Sequence, residues 1–172
     1  MNPFRWSFRS QFLLGFACCA ALLGYALFVQ FKLGIAPCPF CIFQRICFAA
    51  LGVVFLLGAL HAPRAPGARQ WWGVLAFAAA AAGMGYAGRH SWVQLHPPAL
   101  PSCGPGLNFI VEQYSWLGAA RKVLQATGDC ANIDWSFLGL SMPMWALVWF
   151  IALGCGALYA GFQRRHSHLF RR

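Results

Sequence analysis

Charged side chains are scarce in this sequence. Only 9% of its 172 residues are charged, whereas a typical soluble domain has about 25%, and 60% of the residues are hydrophobic. Acidic side chains are the rarest, with Glu112, Asp129 and Asp134 the only three in the chain. So few charges cannot cover a water-facing surface. The composition therefore excludes an ordinary soluble domain and indicates an integral membrane protein.

Four apolar runs are long enough to cross a bilayer, which takes about 17–25 residues. They cover residues 12–29, 42–60, 71–87 and 143–162. The third run is rich in alanine and glycine, whose small side chains let helices approach closely. The first run is longer than the apolar region of a signal peptide, about 7–15 residues, so we expect it to be retained as a helix. The sequence predicts an all-α membrane protein, a single bundle of four transmembrane helices.

Basic side chains are concentrated on one side of the predicted bundle. Eight of the thirteen flank the same side of the spans: Arg5, Arg9, Arg64, Arg69, Arg164, Arg165, Arg171 and Arg172. The positive-inside rule then places both termini and the 61–70 turn in the cytoplasm. In a bacterial inner membrane, loops 30–41 and 88–142 are periplasmic. The net charge of +10 thus reflects topology and contact with lipid headgroups, and nucleic acid is not an expected partner.

The long second loop is expected to contain a short helix. Its first part, from His96 to Pro105, is rich in proline and predicts irregular chain. Between Leu107 and Leu124, apolar residues recur at helical spacing with polar residues off that stripe. This pattern predicts an amphipathic helix, which either lies on the membrane surface or packs on the loop itself.

The eight cysteines divide into two groups. Four lie inside the predicted spans, where cysteine is usually a small hydrophobic residue: Cys18, Cys19, Cys47 and Cys155. The other four lie in the two periplasmic loops, where disulfides form and persist: Cys38, Cys41, Cys103 and Cys130. Two cysteine pairs on one oxidising face indicate dithiol redox chemistry.

The two pairs differ in spacing. Cys38 and Cys41 form a Cys-x-x-Cys, whose small ring lets a disulfide open and close locally. Cys41 is expected just before a helix, where backbone N–H groups and the macrodipole favour a thiolate. Cys103 and Cys130 lie in a flexible loop, so they are able to bridge each other while remaining accessible to the thiolate of a partner.

Cysteines outside membrane spans have three other common uses: zinc ligation, structural disulfides and haem attachment. Zinc is an alternative, although structural zinc usually takes two closely spaced pairs, and no metal site is predicted. Two structural disulfides in a non-catalytic scaffold are a second alternative. A c-type haem requires a histidine directly after the Cys-x-x-Cys, and Ile42 stands there.

Arg45 lies inside the second apolar run, one helical turn after Cys41. An arginine at the bilayer centre costs about 2.5–3.5 kcal/mol, and less near a helix end, where the side chain reaches the interface. Arg45 is thus either an interfacial anchor or a fixed cation beside a thiolate and an electron acceptor. A quinone suits the second role because it is apolar and becomes anionic on reduction. His90 is expected at a similar depth, either solvated or bound to a quinone carbonyl.

The combined motifs resemble the DsbB family of quinone-linked, disulfide-forming membrane proteins. These motifs are "PCPFCIFQR", "RHSWVQL", "SCGPG", "GDC" and "WSFLGLSMPMW", in this order. The resemblance covers the whole chain, with four spans, two outer loops and both cysteine pairs. Thiol-oxidising membrane proteins of the vitamin K epoxide reductase type use a similar four-helix arrangement, but the sequence around Cys103 and Cys130 favours the DsbB family. Two local features differ from expectation: Pro-Phe between the first cysteines, and Gln44 where an acidic residue is plausible.

The resemblance implies roles for both cysteine pairs, as redox disulfides Cys38–Cys41 and Cys103–Cys130. A reduced DsbA-like periplasmic protein of the thioredoxin fold attacks Cys103, and Cys130 exchanges with Cys38. Cys41 then faces the quinone.

The resemblance also implies further contacts for the quinone. Arg45 assists Cys41, and His90 and Met142 are additional candidate contacts. Ubiquinone is the first expectation and menaquinone the alternative. The respiratory chain reoxidises the quinol.

Overall fold

The computed structural model describes residues 7–34, 37–97 and 136–163, apart from the side chain of Leu33. Four helices and one β-hairpin occur in these ranges. In chain order they are α1 (Phe8–Leu33), α2 (Pro39–His61), α3 (Pro66–Leu95), β1 (Ser136–Phe137), β2 (Leu140–Ser141) and α4 (Met142–Phe162). Cys103, Cys130 and the predicted amphipathic helix lie outside the described residues.

The helix ends follow local sequence signals. Ser7 caps α1, its side chain accepting a hydrogen bond from the backbone N–H of Ser10 at 3.2 Å. Gly34 ends α1 in the left-handed conformation, with φ of 66°, which glycine adopts without steric cost. Proline stands in the first turn of α2, α3 and α4, where its missing N–H is not needed.

The helices are longer than the apolar runs that predicted them. α2 begins at Pro39, so Cys41 lies within its first turn. The sequence had predicted that Cys41 stands just before the helix. α3 continues to Leu95, well past the third apolar run, so His90 belongs to a helix. These differences arise because an apolar run marks the segment suited to lipid, whereas backbone hydrogen bonding continues into the flanking residues.

Small residues allow α3 and α4 to pack closely. A Cβ atom at Gly73 would lie 2.9 Å from the carbonyl oxygen of Ala157, and one at Gly161 would lie 2.9 Å from that of Arg69. Gly83 faces the ring of Phe150, which is fully buried. The alanine- and glycine-rich composition of α3 therefore serves helix packing, as the sequence predicted.

Aromatic rings fill the core, and apolar side chains cover the outside. Phe48 of α2 stacks on Phe150 of α4 with ring centroids 3.9 Å apart, and Phe12 meets Phe55 edge to face at 5.2 Å. Large apolar side chains also remain exposed on the outer helix faces, including Leu13, Phe28, Val53, Leu57, Val148 and Ile151. Such a surface suits contact with lipid.

Three of the described helices are long and apolar enough to cross a membrane. These spans are Phe8–Lys32, Pro39–His61 and Met142–Phe162. α3 is longer than any of them, but polar side chains towards its ends lower its mean hydropathy: Arg69, Gln70, Arg89, His90 and Gln94. The described residues thus form a helical membrane protein with multiple apolar helices.

A two-stranded antiparallel hairpin precedes α4, which the all-α prediction did not include. Phe137 pairs with Leu140, and the two turn residues Leu138 and Gly139 both have positive φ, 52° and 77°. This is the geometry of a primed turn, which matches the twist of paired strands. The indole N–H of Trp145 donates to the carbonyl of Phe137 at 3.0 Å and fixes the hairpin on the first turn of α4.

Candidate functional site

Cys38 and Cys41 meet at the N-terminus of α2. Cys38 is the N-cap residue, and its Sγ atom accepts a hydrogen bond from the backbone N–H of Cys41 at 3.4 Å. The two Sγ atoms are 3.2 Å apart, a contact between two thiols. The sulfur that receives the backbone N–H is therefore that of Cys38, because the helix begins earlier than the sequence suggested.

His90 reaches this cysteine pair from α3. Its Nε2 atom lies 3.8 Å from Sγ of Cys38, and its side chain is only 2% exposed. The ring stacks on Phe40 with centroids 5.2 Å apart, and its Nδ1 atom lies 3.2 Å from Nε2, the amide nitrogen of Gln44. Phe40 and Gln44 are both buried, so the imidazole is held on two sides by α2.

Arg45 points to α1. Its guanidinium donates one hydrogen bond to the side-chain carbonyl of Gln30 and another, 3.2 Å long, to the backbone carbonyl of Ala26. The side chain is half-buried. The cation is thus held between α1 and α2 on the side of α2 that does not contact His90.

A cavity of about 310 Å³ lies beside the cysteine pair. Its wall is almost entirely apolar and comes from α1, α2, α4 and the hairpin: Leu22, Leu23, Tyr25, Ala26, Cys41, Gln44, Arg45, Phe48, Phe137, Met142, Trp145, Ala146 and Trp149. The spacing of Cys41 and Arg45 by one turn puts both on this wall. The cavity therefore joins one thiol, one guanidinium and a group of aromatic rings.

The structure groups the predicted site residues in two places. Cys41, Arg45 and Met142 line the cavity, whereas His90 does not and instead contacts Cys38. Cys103 and Cys130 lie outside the described residues.

Sequence reasoning missed several residues around this site. These are Gln30 as the partner of Arg45, Gln44 as the partner of His90, and the hairpin residue Phe137 in the cavity wall. A polar glutamine at the outer end of each of the first two apolar runs was the signal available for Gln30 and Gln44.

The apolar helices and the pair of cysteines at the start of α2 together define a membrane protein suited to thiol chemistry. The chain matches the family model described as "Disulfide bond formation protein DsbB" over residues 8–160, and it belongs to that family. It is a membrane oxidoreductase of disulfide bond formation. The resemblance seen in the sequence is confirmed.

Relatives called "Disulfide bond formation protein B" match nearly the whole chain. One from Xanthomonas oryzae pv. oryzae (strain MAFF 311018) is 62% identical, covering 98% of this chain and 99% of its own length. One from Xanthomonas campestris pv. campestris (strain 8004) is 61% identical, covering 96% of both chains. One from Xylella fastidiosa (strain 9a5c) is 50% identical over 99% of both chains.

Proposed function

We propose that the protein oxidises a DsbA-like periplasmic protein of the thioredoxin fold and passes the electrons to a membrane quinone. In the net reaction, two partner thiols become a disulfide and the quinone becomes a quinol, which transfers two electrons and two protons. The observation that carries the proposal is that Cys41 and Arg45 line the same apolar cavity.

The cavity residues fit a quinone headgroup. The cavity volume of about 310 Å³ is that of a small ligand pocket, and Phe48, Trp145 and Trp149 supply flat apolar walls. A quinone supplies a two-electron acceptor with two carbonyl oxygens. Arg45 supplies hydrogen-bond donors and a positive charge for an oxygen on which negative charge develops. Met142 adds an adaptable apolar contact.

Cys38 is placed for thiol exchange. Its sulfur accepts a backbone N–H at the positive end of the α2 macrodipole, and both interactions favour negative charge on that sulfur. Nε2 of His90 lies within reach of the Cys38 thiol proton. This geometry supports a role for His90 at the thiol and not at a quinone carbonyl. Cys38 therefore exchanges with the second loop, and Cys41 faces the cavity.

The two long-loop cysteines complete the electron path. Reduced partner attacks Cys103, and the electrons pass through Cys130 to Cys38 and then to Cys41. Each exchange is the attack of a thiolate on a disulfide sulfur through a mixed disulfide. The family membership and the two cysteine pairs in the sequence support this order.

Reduction potentials require an acceptor as oxidising as a quinone. The reduction potential of DsbA is about −120 mV, and a difference of 30 mV is worth about 1.4 kcal/mol for two electrons. The disulfide of an ordinary, less oxidising cysteine pair would therefore fail to oxidise reduced DsbA, and its dithiol form would instead reduce oxidised DsbA. The respiratory chain then reoxidises the quinol, with ubiquinone the first candidate and menaquinone the second.

The proposed topology has four spans in a bacterial inner membrane. α3 packs closely on α4 along its length and would cross beside the three more apolar helices. Both termini and the turn between α2 and α3 are cytoplasmic, since the basic residues lie there. The cysteine pair at the start of α2 then faces the periplasm.

The test uses the full chain in lipid with a reduced DsbA-like protein and ubiquinone. Quinone absorbance and the thiol count of the partner should fall together. The Cys41→Ser variant should be inactive, whereas Cys155→Ser, at an exposed position on α4, should be as active as the parent. Unchanged quinone reduction by Cys41→Ser would refute the proposal.

A further inference from the structure

We propose that Cys38, Cys41 and His90 form a binding site for a thiophilic divalent cation of the zinc class, and that the site exists only while both cysteines are reduced. One candidate ligand atom from each of the three residues lies within 4.8 Å of the other two. The sulfur–sulfur distance is 3.2 Å, and Cys38 Sγ lies 3.8 Å from Nε2 of His90.

These distances are close to those of a tetrahedral zinc site. Zinc bonds of about 2.3 Å to sulfur and about 2.0–2.1 Å to nitrogen place two sulfurs about 3.8 Å apart, and a sulfur and a nitrogen about 3.6 Å apart. Rotation of the cysteine side chains would have to move the two sulfurs about 0.6 Å further apart and bring Cys41 Sγ, which lies within 4.8 Å of the His90 nitrogen, to about 3.6 Å from it. Two thiolates and one imidazole leave the fourth position open.

The surroundings of His90 are those of an oriented metal ligand. Metal-binding histidines usually donate their second ring N–H to a neighbouring acceptor, which fixes the tautomer and the ring. The amide nitrogen of Gln44 lies at Nδ1, and a flip of this amide about its terminal bond would place its carbonyl oxygen there to accept the Nδ1–H of a metal-bound His90. The Nε2 lone pair is then directed to the sulfurs. Phe40 stacks on the ring and holds its plane.

The charges also balance. Two thiolates neutralise a divalent cation, so the loaded site carries no net charge at the edge of an apolar bundle. Arg45, the nearby fixed cation on α2, is bonded to Gln30 and Ala26 of α1, whereas His90 comes from α3. The guanidinium is therefore held towards α1, whereas the third ligand comes from α3.

Metal binding and oxidation exclude each other at these cysteines. Binding replaces two thiol protons with the cation and transfers no electrons, since only thiolates bind. In the disulfide, each sulfur is bonded to the other and neither is a thiolate. A bound cation would hold the pair reduced and would stop turnover.

The test measures metal binding directly, without quinone or partner, so its outcome is independent of the proposed electron path. The full chain with Cys103→Ser and Cys130→Ser is reduced under anaerobic conditions and titrated with Co²⁺. We expect one equivalent to bind, with thiolate charge-transfer and tetrahedral d–d absorption, and Zn²⁺ to displace it. After oxidation of Cys38 and Cys41 to the disulfide, the same chain should give no such spectrum.

A variant of the third ligand tests the site further. His90→Ala should weaken Zn²⁺ binding at least about 10-fold. His96→Ala, which removes an exposed histidine at the end of the same helix, should leave the affinity unchanged. The oxidised chain has an unchanged sequence, so the comparison stands even if His90→Ala folds poorly. The proposal is overturned if the reduced chain gives no Co²⁺ spectrum, if oxidation leaves binding intact, or if folded His90→Ala binds as tightly as the parent.

Discussion

Arg45 on α2 is hydrogen-bonded to the side chain of Gln30 on α1. The backbone carbonyl of Ala26, one turn earlier on α1, accepts a second hydrogen bond from the same guanidinium. The cation at the cavity wall is thus held in place by protein groups. A charge fixed in this way needs little reorganisation when negative charge develops beside it.

Replacing Gln30 with leucine should weaken quinone use without removing the cation. A hydrogen bond to a charged group contributes about 1.5–3 kcal/mol, so we expect the KM for quinone to rise about 10-fold. Steady-state kinetics at varied ubiquinone measure this. Gln11→Leu, a glutamine near the other end of α1, is the matched control. An equal rise in KM for both variants would argue against a positioning role for Gln30.

Replacing Arg45 with methionine should lower quinone reduction more severely. Loss of one preorganised donor at a developing oxyanion costs about 100-fold or more in kcat. Arg45→Lys keeps the charge but not the two-pronged hydrogen-bonding geometry of the guanidinium. Its rate of quinone reduction should therefore lie between that of the parent and that of Arg45→Met. Single-turnover quinone absorbance measures the step. A rate in Arg45→Met within about twofold of the parent would show that the cation is only an interfacial anchor.

Replacing Trp145 with phenylalanine should loosen the hairpin that walls the cavity. The change removes the 3.0 Å hydrogen bond to the carbonyl of Phe137 and keeps most of the aromatic packing. A neutral hydrogen bond contributes about 1 kcal/mol, so the KM for quinone should rise about fivefold. Trp71→Phe, at an exposed position on α3, should have no effect on this KM.

Replacing Gly83 with alanine should destabilise the bundle. A Cβ atom there would overlap the ring of Phe150, which is buried and stacked on Phe48, so the ring or the helix would have to shift. Overpacking of this kind costs about 1–3 kcal/mol. Gly85→Ala, on the same helix, meets nothing within 4 Å and should be neutral or stabilising by up to about 1 kcal/mol. Unfolding in a detergent titration, followed by circular dichroism, compares the two.

Local spacing predicted part of the site correctly because it depends on one helix. Cys41 and Arg45 are four residues apart, and that spacing places them on one helix face whatever surrounds it. The membrane class and the family likewise follow from the sequence, since apolar length, basic flanks and cysteine motifs are properties of the chain itself. The catalytic roles of these residues remain predictions.

Only the tertiary structure shows where His90 lies and that a hairpin precedes α4. His90 is 52 positions from Cys38, and its contact with that thiol depends on how α3 packs on α2. The sequence predicted that His90 lies at a depth in the membrane similar to that of Arg45, but it did not predict the register between α2 and α3. The hairpin depends on positive φ at Leu138 and Gly139, and a Leu-Gly pair is a weak turn signal.

The sequence by itself determined that the chain enters a membrane, that it carries a redox-type cysteine pair, and that a cation follows one turn later. These properties are set by composition and by spacing along one helix. The tertiary structure decided which thiol contacts the histidine and which faces the cavity, and that α1 holds the arginine. Those contacts arise between helices, where the packing of glycines against aromatic rings fixes the register that no single segment encodes.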